Sequence, residues 1–331
     1  MSYFILSLIL VTGWTPQLKQ KPSCYESIGI SGSPKDVNTK TEAGFVLAGG
    51  STDVDEAFRW MIKRSGGGDF VVIRASGSTG YNEYIKALDS LNSVETLLID
   101  SREKAMNKEA GKRIREAEGL FIAGGDQWNY MKFWKDSEVS AAIEYLIKKK
   151  RVPIGGTSAG CAVLSEFVFD AQKGSATSGQ ALKNPYDTTV TLSRSFIEIP
   201  FLKNTVADQH YSQRERPGRH IVFLARLVKD NKVKDVKGIG VDEKTAVCID
   251  QNGNAIVFGK NKAHFLFASG QTPEKCSPGT PLIWSNNKEA IRVSIYQGSP
   301  EGTKAFNLKS KPLKTDEFWY VENGELVRVD N

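Results

Sequence analysis

Cysteine and histidine are scarce in this 331-residue chain, four of the first and three of the second. No C-x-x-C pair and no Cys/His cluster with metal-ligand spacing occurs, so neither a metal centre nor a disulfide-built scaffold is expected. Nucleotide fingerprints are missing too. Neither G-x-G-x-x-G nor G-x-x-x-x-G-K-[ST] stands at the Gly49-Gly50 turn, which leaves a phosphate cradle there a poor reading and calls for no cofactor. Long charge runs are absent: 44 Lys+Arg against 38 Asp+Glu give a net +6 that is spread along the chain. The one compact basic run, Lys148 to Arg151, reads as a helix C-terminus where cations suit the dipole, so no nucleic-acid partner is expected. Long hydrophobic runs are also lacking. The apolar stretch Tyr3 to Val11 is too short to span a bilayer but has the length of a secretory h-region. Export to a secreted or periplasmic location without a stable membrane anchor is expected from it, a buried N-terminal strand being the alternative. Cys24 follows Lys-Pro-Ser rather than an apolar lipobox. Cys161 and Cys248 sit in apolar segments and read as core; Cys24 and Cys276 sit in polar, Pro-containing segments and are free to pair in an exported protein.

What is present is ordinary globular material, 40% hydrophobic and 25% charged, arranged as strand, glycine turn and helix in repetition. "GFVLAGG", "DFVVIRA", "ETLLID", "GLFIAGG" and "RVPIGG" read as short buried strands. Between them lie helical patterns such as "TDVDEAFRWMIKRS", with Asp53 as an expected N-cap, and "WNYMKFWKDSEVSAAIEYLIKKK". Such alternation predicts a mostly parallel sheet with helices on both faces. Beyond Asp170 the pattern loosens, then returns to strand-like runs "HIVFLARL", "KGIGVDEKTAVCID" and "AIVFG" and to β-rich C-terminal material.

"VPIGGTSAGCAVLSEF" crowds small residues around Ser158 at a strand-to-helix corner. That is the pattern of a G-x-S-x-G nucleophile elbow, an ordinary Gly-rich turn being the plain alternative. A serine nucleophile needs a base. Of the histidines, His264 and His220 lie in or beside apolar runs and read as structural. His210 stands among Asp208, Gln209, Gln213, Arg214, Arg216 and Arg219, in a solvated loop or in the wall of a polar pocket.

In order, "GGDQ" (124–127), "GGTSAG" (155–160), "DQHYSQRERPGR" (208–219) and "GIGVDEKTA" (238–246) resemble the motifs of the cyanophycinase family of serine peptidases, peptidase family S51. The resemblance implies an α/β fold, a three-layer α/β/α sandwich of flavodoxin-like or class I glutamine amidotransferase-like type with a β-rich C-terminal extension. The chain thus divides into an expected signal segment at 1–20 and a polar leader at 21–42, both read from composition, a peptidase domain at 43–262, to which the resemblance applies, and the β-rich extension at 263–331. The resemblance further implies Ser158 as nucleophile, His210 as base and Glu243 as the carboxylate orienting it, with the N–H groups of Gly125 and Ala159 as oxyanion hole. Gln127, Asp208, Gln209, Arg214, Arg216 and Arg219 would line the substrate pocket. The implied substrate is a peptide or polymer rich in aspartate and arginine, cut to β-Asp-Arg dipeptides, with no metal and no cofactor; a homodimer is compatible with it. An S51-type aspartyl dipeptidase and a non-catalytic binding protein on the same fold are the competing readings. A glutamine amidotransferase-like enzyme would want cysteine where Ser158 stands. Glu215, Pro217 and the stretch from Asp170 to Asn204 depart from the family pattern.

Overall fold

The computed structural model describes residues 27–309 and 314–331. The Tyr3 to Val11 run and Cys24 lie outside them. Strands run β1 (Ser27–Gly32), β2 (Gly44–Ala48), β3 (Asp69–Arg74), β4 (Ser93–Leu98), β5 (Gly119–Ile122), β6 (Pro153–Thr157), β7 (Phe167–Phe169), β8 (Leu192–Arg194) and β9 (Thr205–Gln209). They continue with β10 (Lys237–Val241), β11 (Thr245–Asp250), β12 (Asn254–Gly259), β13 (Lys262–Ala268), β14 (Ile291–Gln297), β15 (Phe306–Asn307), β16 (Glu317–Glu322) and β17 (Glu325–Asp330).

A 9-stranded sheet has the order β1-β4-β3-β5-β6-β2-β11-β12-β15. Its centre, β4-β3-β5-β6-β2, is parallel, and antiparallel strands complete both edges. Because side chains alternate along a strand, the apolar runs feed two cores at once. Phe45, Leu47, Val71, Ile73, Leu120 and Ile122 point to one face, where Ile114, Tyr130, Trp134 and Ile143 of three helices meet them. Val46, Phe70, Val72 and Phe121 point to the other, against Ala57, Phe58, Met61 and Ile62 of the helix Asp55–Arg64. The result is the expected α/β/α layering. Asp53, expected as a cap of that helix, instead accepts the Tyr81 hydroxyl at 2.7 Å, and Val54 occupies the N-cap. The basic run ends its helix as expected: a π-helical turn covers Leu146–Lys150, and Arg151 closes it in the left-handed region at φ 61°.

An 8-stranded sheet of order β17-β16-β14-β13-β10-β9-β7-β8 lies beyond. Its Ala207, Ile239, Val241 and Phe265 share the first core, while Val206, Leu266, Ile291 and Val293 enter a separate one. That second core is closed by the helix Pro217–Asp230, which contains the run "HIVFLARL" expected as strand-like. The correction has a simple cause. Pro217 occupies the first helical turn, where its missing N–H costs nothing, and within the run itself only His220 and Arg226 are polar, too few positions to mark a helical period. The C-terminal strands are sutured into both sheets: β13, β14, β16 and β17 extend the second, and β15 pairs with β12 in the first. The polar stretch 21–42 likewise carries β1, paired antiparallel with β4.

Candidate active site

Strand β6 ends at Thr157, and Ser158 turns the chain into the short helix Ala159–Ala162 with φ 51° and ψ −116°. This strained backbone lifts the half-buried hydroxyl out of the sheet. The small residues around it follow from close packing. A Cβ on Gly160 would stand 2.1 Å from the Ile122 carbonyl oxygen of neighbouring β5, and one on Gly156 would stand 2.5 Å from the backbone of Gly160.

His210 follows β9, and Glu243 lies in the turn between β10 and β11. Since β9 and β10 are parallel with Gln209 opposite Val241, both residues leave their strands at the same level. His210 Nε2 lies 2.8 Å from Ser158 Oγ, and His210 Nδ1 lies 2.7 Å from Glu243 Oε1. The glycine turn after β2 forms the floor beneath them. Gly49 O accepts the His210 N–H at 2.8 Å and Gly50 O accepts the Lys244 N–H at 3.1 Å. Gly50 has φ 97°, and a Cβ there would come within 2.5 Å of the imidazole, so both the turn and the close approach demand glycine. Nothing in the sequence of this turn announced that task beyond the paired glycines themselves.

Burial lowers the His210 pKa below the ordinary histidine value. The Glu243 hydrogen bond opposes the shift, and the Arg214 and Arg216 charges add to it. Glu243 is held below the usual carboxylate range, first by its bond to His210, with help from Arg214 and the Ser51 hydroxyl. At neutral pH the imidazole is therefore uncharged beside an ionised carboxylate and can take a proton from the serine hydroxyl. The other histidines are occupied structurally. His220 sits fully buried between the Tyr211 hydroxyl and Val206 O, each at 3.1 Å, and His264 packs on the Tyr211 ring; burial lowers both to about 4.

Of the expected oxyanion donors, one follows the serine directly and the other lies one residue beyond a glycine that neighbours it. Ala159 is the first residue of its helix, where N–H groups have no intrahelical acceptor, and Gly124, next to Gly125, packs against Ser158 Cβ. Gln127 opens the helix after that turn and donates to Phe169 O at 3.2 Å.

The polar residues around His210 divide sharply. Asp208 is 2% exposed and is gripped by Arg219, Nε to Oδ2 at 2.8 Å and Nη2 to Oδ1 at 2.6 Å. Burial alone would raise the Asp208 pKa, but Arg219 and Arg216 outweigh it and the carboxylate is stabilised. Arg216 bonds Gln209 O at 2.7 Å and Asp208 at 3.4 Å. Asp208 thus faces cations of its own chain, where the resemblance had it lining the substrate pocket. Arg219 also donates to Ser175 Oγ and Ala176 O, so the segment after Asp170 buttresses this pair. Gln209 is buried with its side-chain oxygen unpartnered, whereas Arg214 is exposed beside His210 and Glu243. Of the two departures inside the motif, Glu215 takes φ 50° and its carbonyl accepts the Ser178 hydroxyl, and Pro217 starts the following helix.

A family model described as peptidase family S51 matches residues 45–257. The chain belongs to peptidase family S51. The peptidase is 26% identical over 230 residues to the cyanophycinase of Trichormus variabilis, covering 66% of this chain and 72% of that one. It is 28% identical over 171 residues to the cyanophycinase of Synechococcus elongatus, covering 51% and 48%. Its fold is similar to the crystal structure of a peptidase from an acI-B1 Actinobacterium, with a TM-score of 0.52 and 16% identity over 81% of this chain and 98% of that one. The peptidase is accordingly a serine-type enzyme acting on peptide substrates.

Proposed function

We propose that this S51 peptidase hydrolyses amide bonds at aspartyl residues of aspartate- and arginine-rich peptides, of which the β-Asp-Arg polymer cyanophycin is the first candidate. Ser158 Oγ attacks the carbonyl carbon while His210 Nε2 takes its proton, and Glu243 holds the imidazole tautomer and stabilises the imidazolium. The oxyanion draws on the Ala159 and Gly125 N–H groups. His210 then returns the proton to the leaving amine, and water repeats the sequence to release the acyl group from Ser158. The observation that carries this reading is the unbroken run of contacts from Ser158 Oγ through His210 to Glu243 at 2.8 and 2.7 Å. The substrate class is supported by the cyanophycinase relatives and by the exposed Arg214, a cation suited to a substrate carboxylate.

Purified protein incubated with cyanophycin, with β-aspartyl dipeptides and with α-linked aspartyl dipeptides, followed by mass analysis of products, tests it. Release of β-Asp-Arg from the polymer, abolished by Ser158→Ala, is the expected result. Cleavage confined to dipeptides would select the aspartyl dipeptidase reading, and undiminished turnover by Ser158→Ala would remove Ser158 from the chemistry.

A further inference from the structure

Glu243 is the weakly enclosed member of the constellation. Its side chain is 24% exposed against 8% for His210, so burial does not by itself fix the carboxylate on the imidazole. Its peptide, however, is anchored on both sides. The Glu243 carbonyl accepts Asn261 Nδ2 at 2.8 Å and the Thr245 hydroxyl at 3.2 Å, contacts that tie it to its own strand neighbours. The Glu243 N–H donates to Gln213 Oε1 at 2.9 Å, and Gln213 stands three residues after His210. A reciprocal bond runs the other way, from the Ser212 N–H to Asp242 Oδ1 at 2.8 Å. Asp242 is 3% exposed, and its second oxygen accepts the Lys262 N–H at 3.1 Å, which locks the pair of turns onto β13.

The turn carrying the imidazole and the turn carrying the carboxylate therefore hold each other through one side chain from each. We propose that Gln213 is a positioning residue for hydrolysis, acting through Glu243: its side-chain carbonyl fixes the acid's backbone relative to the base and so keeps Glu243 Oε1 on His210 Nδ1. The inference rests on the reading of Ser158, His210 and Glu243 as the reacting triad. Gln213 is on the surface and its side-chain oxygen accepts from a backbone N–H, so its loss is expected to be felt in the chemistry more than in the fold.

The test needs no knowledge of the natural substrate. An alkyl fluorophosphonate labels an activated serine: the Ser158 Oγ–P bond forms as the P–F bond breaks, fluoride leaves and the hydroxyl proton passes to His210. The second-order labelling rate and its pH midpoint report on the base, whose charged surroundings are Glu243, Arg214 and Arg216. Gln213→Met keeps the shape and removes the acceptor. It should slow labelling about three- to ten-fold, the range for one lost hydrogen bond. It should also move the midpoint to lower pH, because a looser Glu243 no longer opposes the downward shift of His210. Gln213→Glu restores an acceptor and should recover most of the rate. In a Glu243→Gln background, Gln213→Met should cost nothing further. Ser158→Ala and Glu243→Gln measured alongside separate the two claims. If Ser158→Ala still labels at the wild-type rate through another residue, or Glu243→Gln labels like wild type, the triad reading fails. If Ser158→Ala does not label and Glu243→Gln labels slowly but Gln213→Met labels at the wild-type rate with an unmoved midpoint, the positioning role fails alone. A loss that tracks a lowered melting temperature and is not rescued by Gln213→Glu, or that adds fully to Glu243→Gln, equally overturns it.

Discussion

The electrostatics of His210 decide how this peptidase should respond to pH. As a base it must be neutral, and burial places its pKa below the ordinary value of about 6.5. Activity should therefore persist as pH falls through 6.5 and be lost only as the imidazole protonates at its lowered pKa. The acidic limb of kcat/KM, which reports the free enzyme, is the measurement. A limb at or above 6.5 would mean that the Glu243 bond outweighs burial. Glu243 keeps its charge through this window, since its own pKa is lowered, so the limb belongs to histidine and not to the carboxylate.

At the level of elements, the segment after β9 contains three arginines that composition treats alike and packing does not. Arg219 is 2% exposed and bidentate on Asp208, so Arg219→Met leaves a buried carboxylate without its main partner. Breaking such a pair typically costs about 3–5 kcal/mol, and a correspondingly lower thermal midpoint is expected. The pair has a pH signature. The folded Asp208 pKa is lowered, so its stabilisation is present above the unfolded carboxylate value of about 3.9 and is lost as pH falls through the folded one. Arg214→Lys should leave the melting temperature within about 0.5 kcal/mol equivalent of wild type. It should reduce kcat/KM for substrates with a free aspartyl carboxylate by about ten-fold, through loss of the guanidinium fork. Thermal melts and kinetics on the two variants check the division; equal behaviour would contradict it.

For the whole molecule, the C-terminal strands bear on stability as much as the parallel sheet does. Trp284, Trp319, Ile291 and Val293 are fully buried in the core closed by the helix Pro217–Asp230, and β13 supplies the Lys262 N–H that anchors Asp242. Removing residues 263–331 strips one side from that core and leaves β10 as an open edge. The shortened chain should be insoluble or lack a cooperative melt, as calorimetry and near-UV dichroism would show. A soluble, active fragment ending near residue 262 would show that the first sheet folds without its partner. The helix Pro217–Asp230 would lose its cover in the same deletion, exposing Phe223, Leu224 and Leu227.

The sequence alone determined what depends on local geometry. Short apolar runs punctuated by glycines specify strands of a parallel sheet, and the small residues around Ser158 specify a tight corner, partly through a near neighbour in the chain, since a Cβ on Gly156 would meet Gly160; the contact of Gly160 with Ile122 belongs to the assembled sheet. The family resemblance implied Glu243 as the carboxylate partner of His210, with Asp208 and Asp242 as the other acids in the same motifs. The tertiary structure decided among them through the parallel register of β9 and β10, which sets Glu243 on the imidazole, Asp242 on the Ser212 N–H and Asp208 under Arg219. It likewise decided that "HIVFLARL" is a helix, since a short apolar run with only His220 and Arg226 as polar positions fits a buried strand and a buried helix equally. The pairing of His210 with Glu243 and of Ser212 with Asp242, and enclosure by distant strands, are properties of the assembled fold, and no short window of sequence contains both partners.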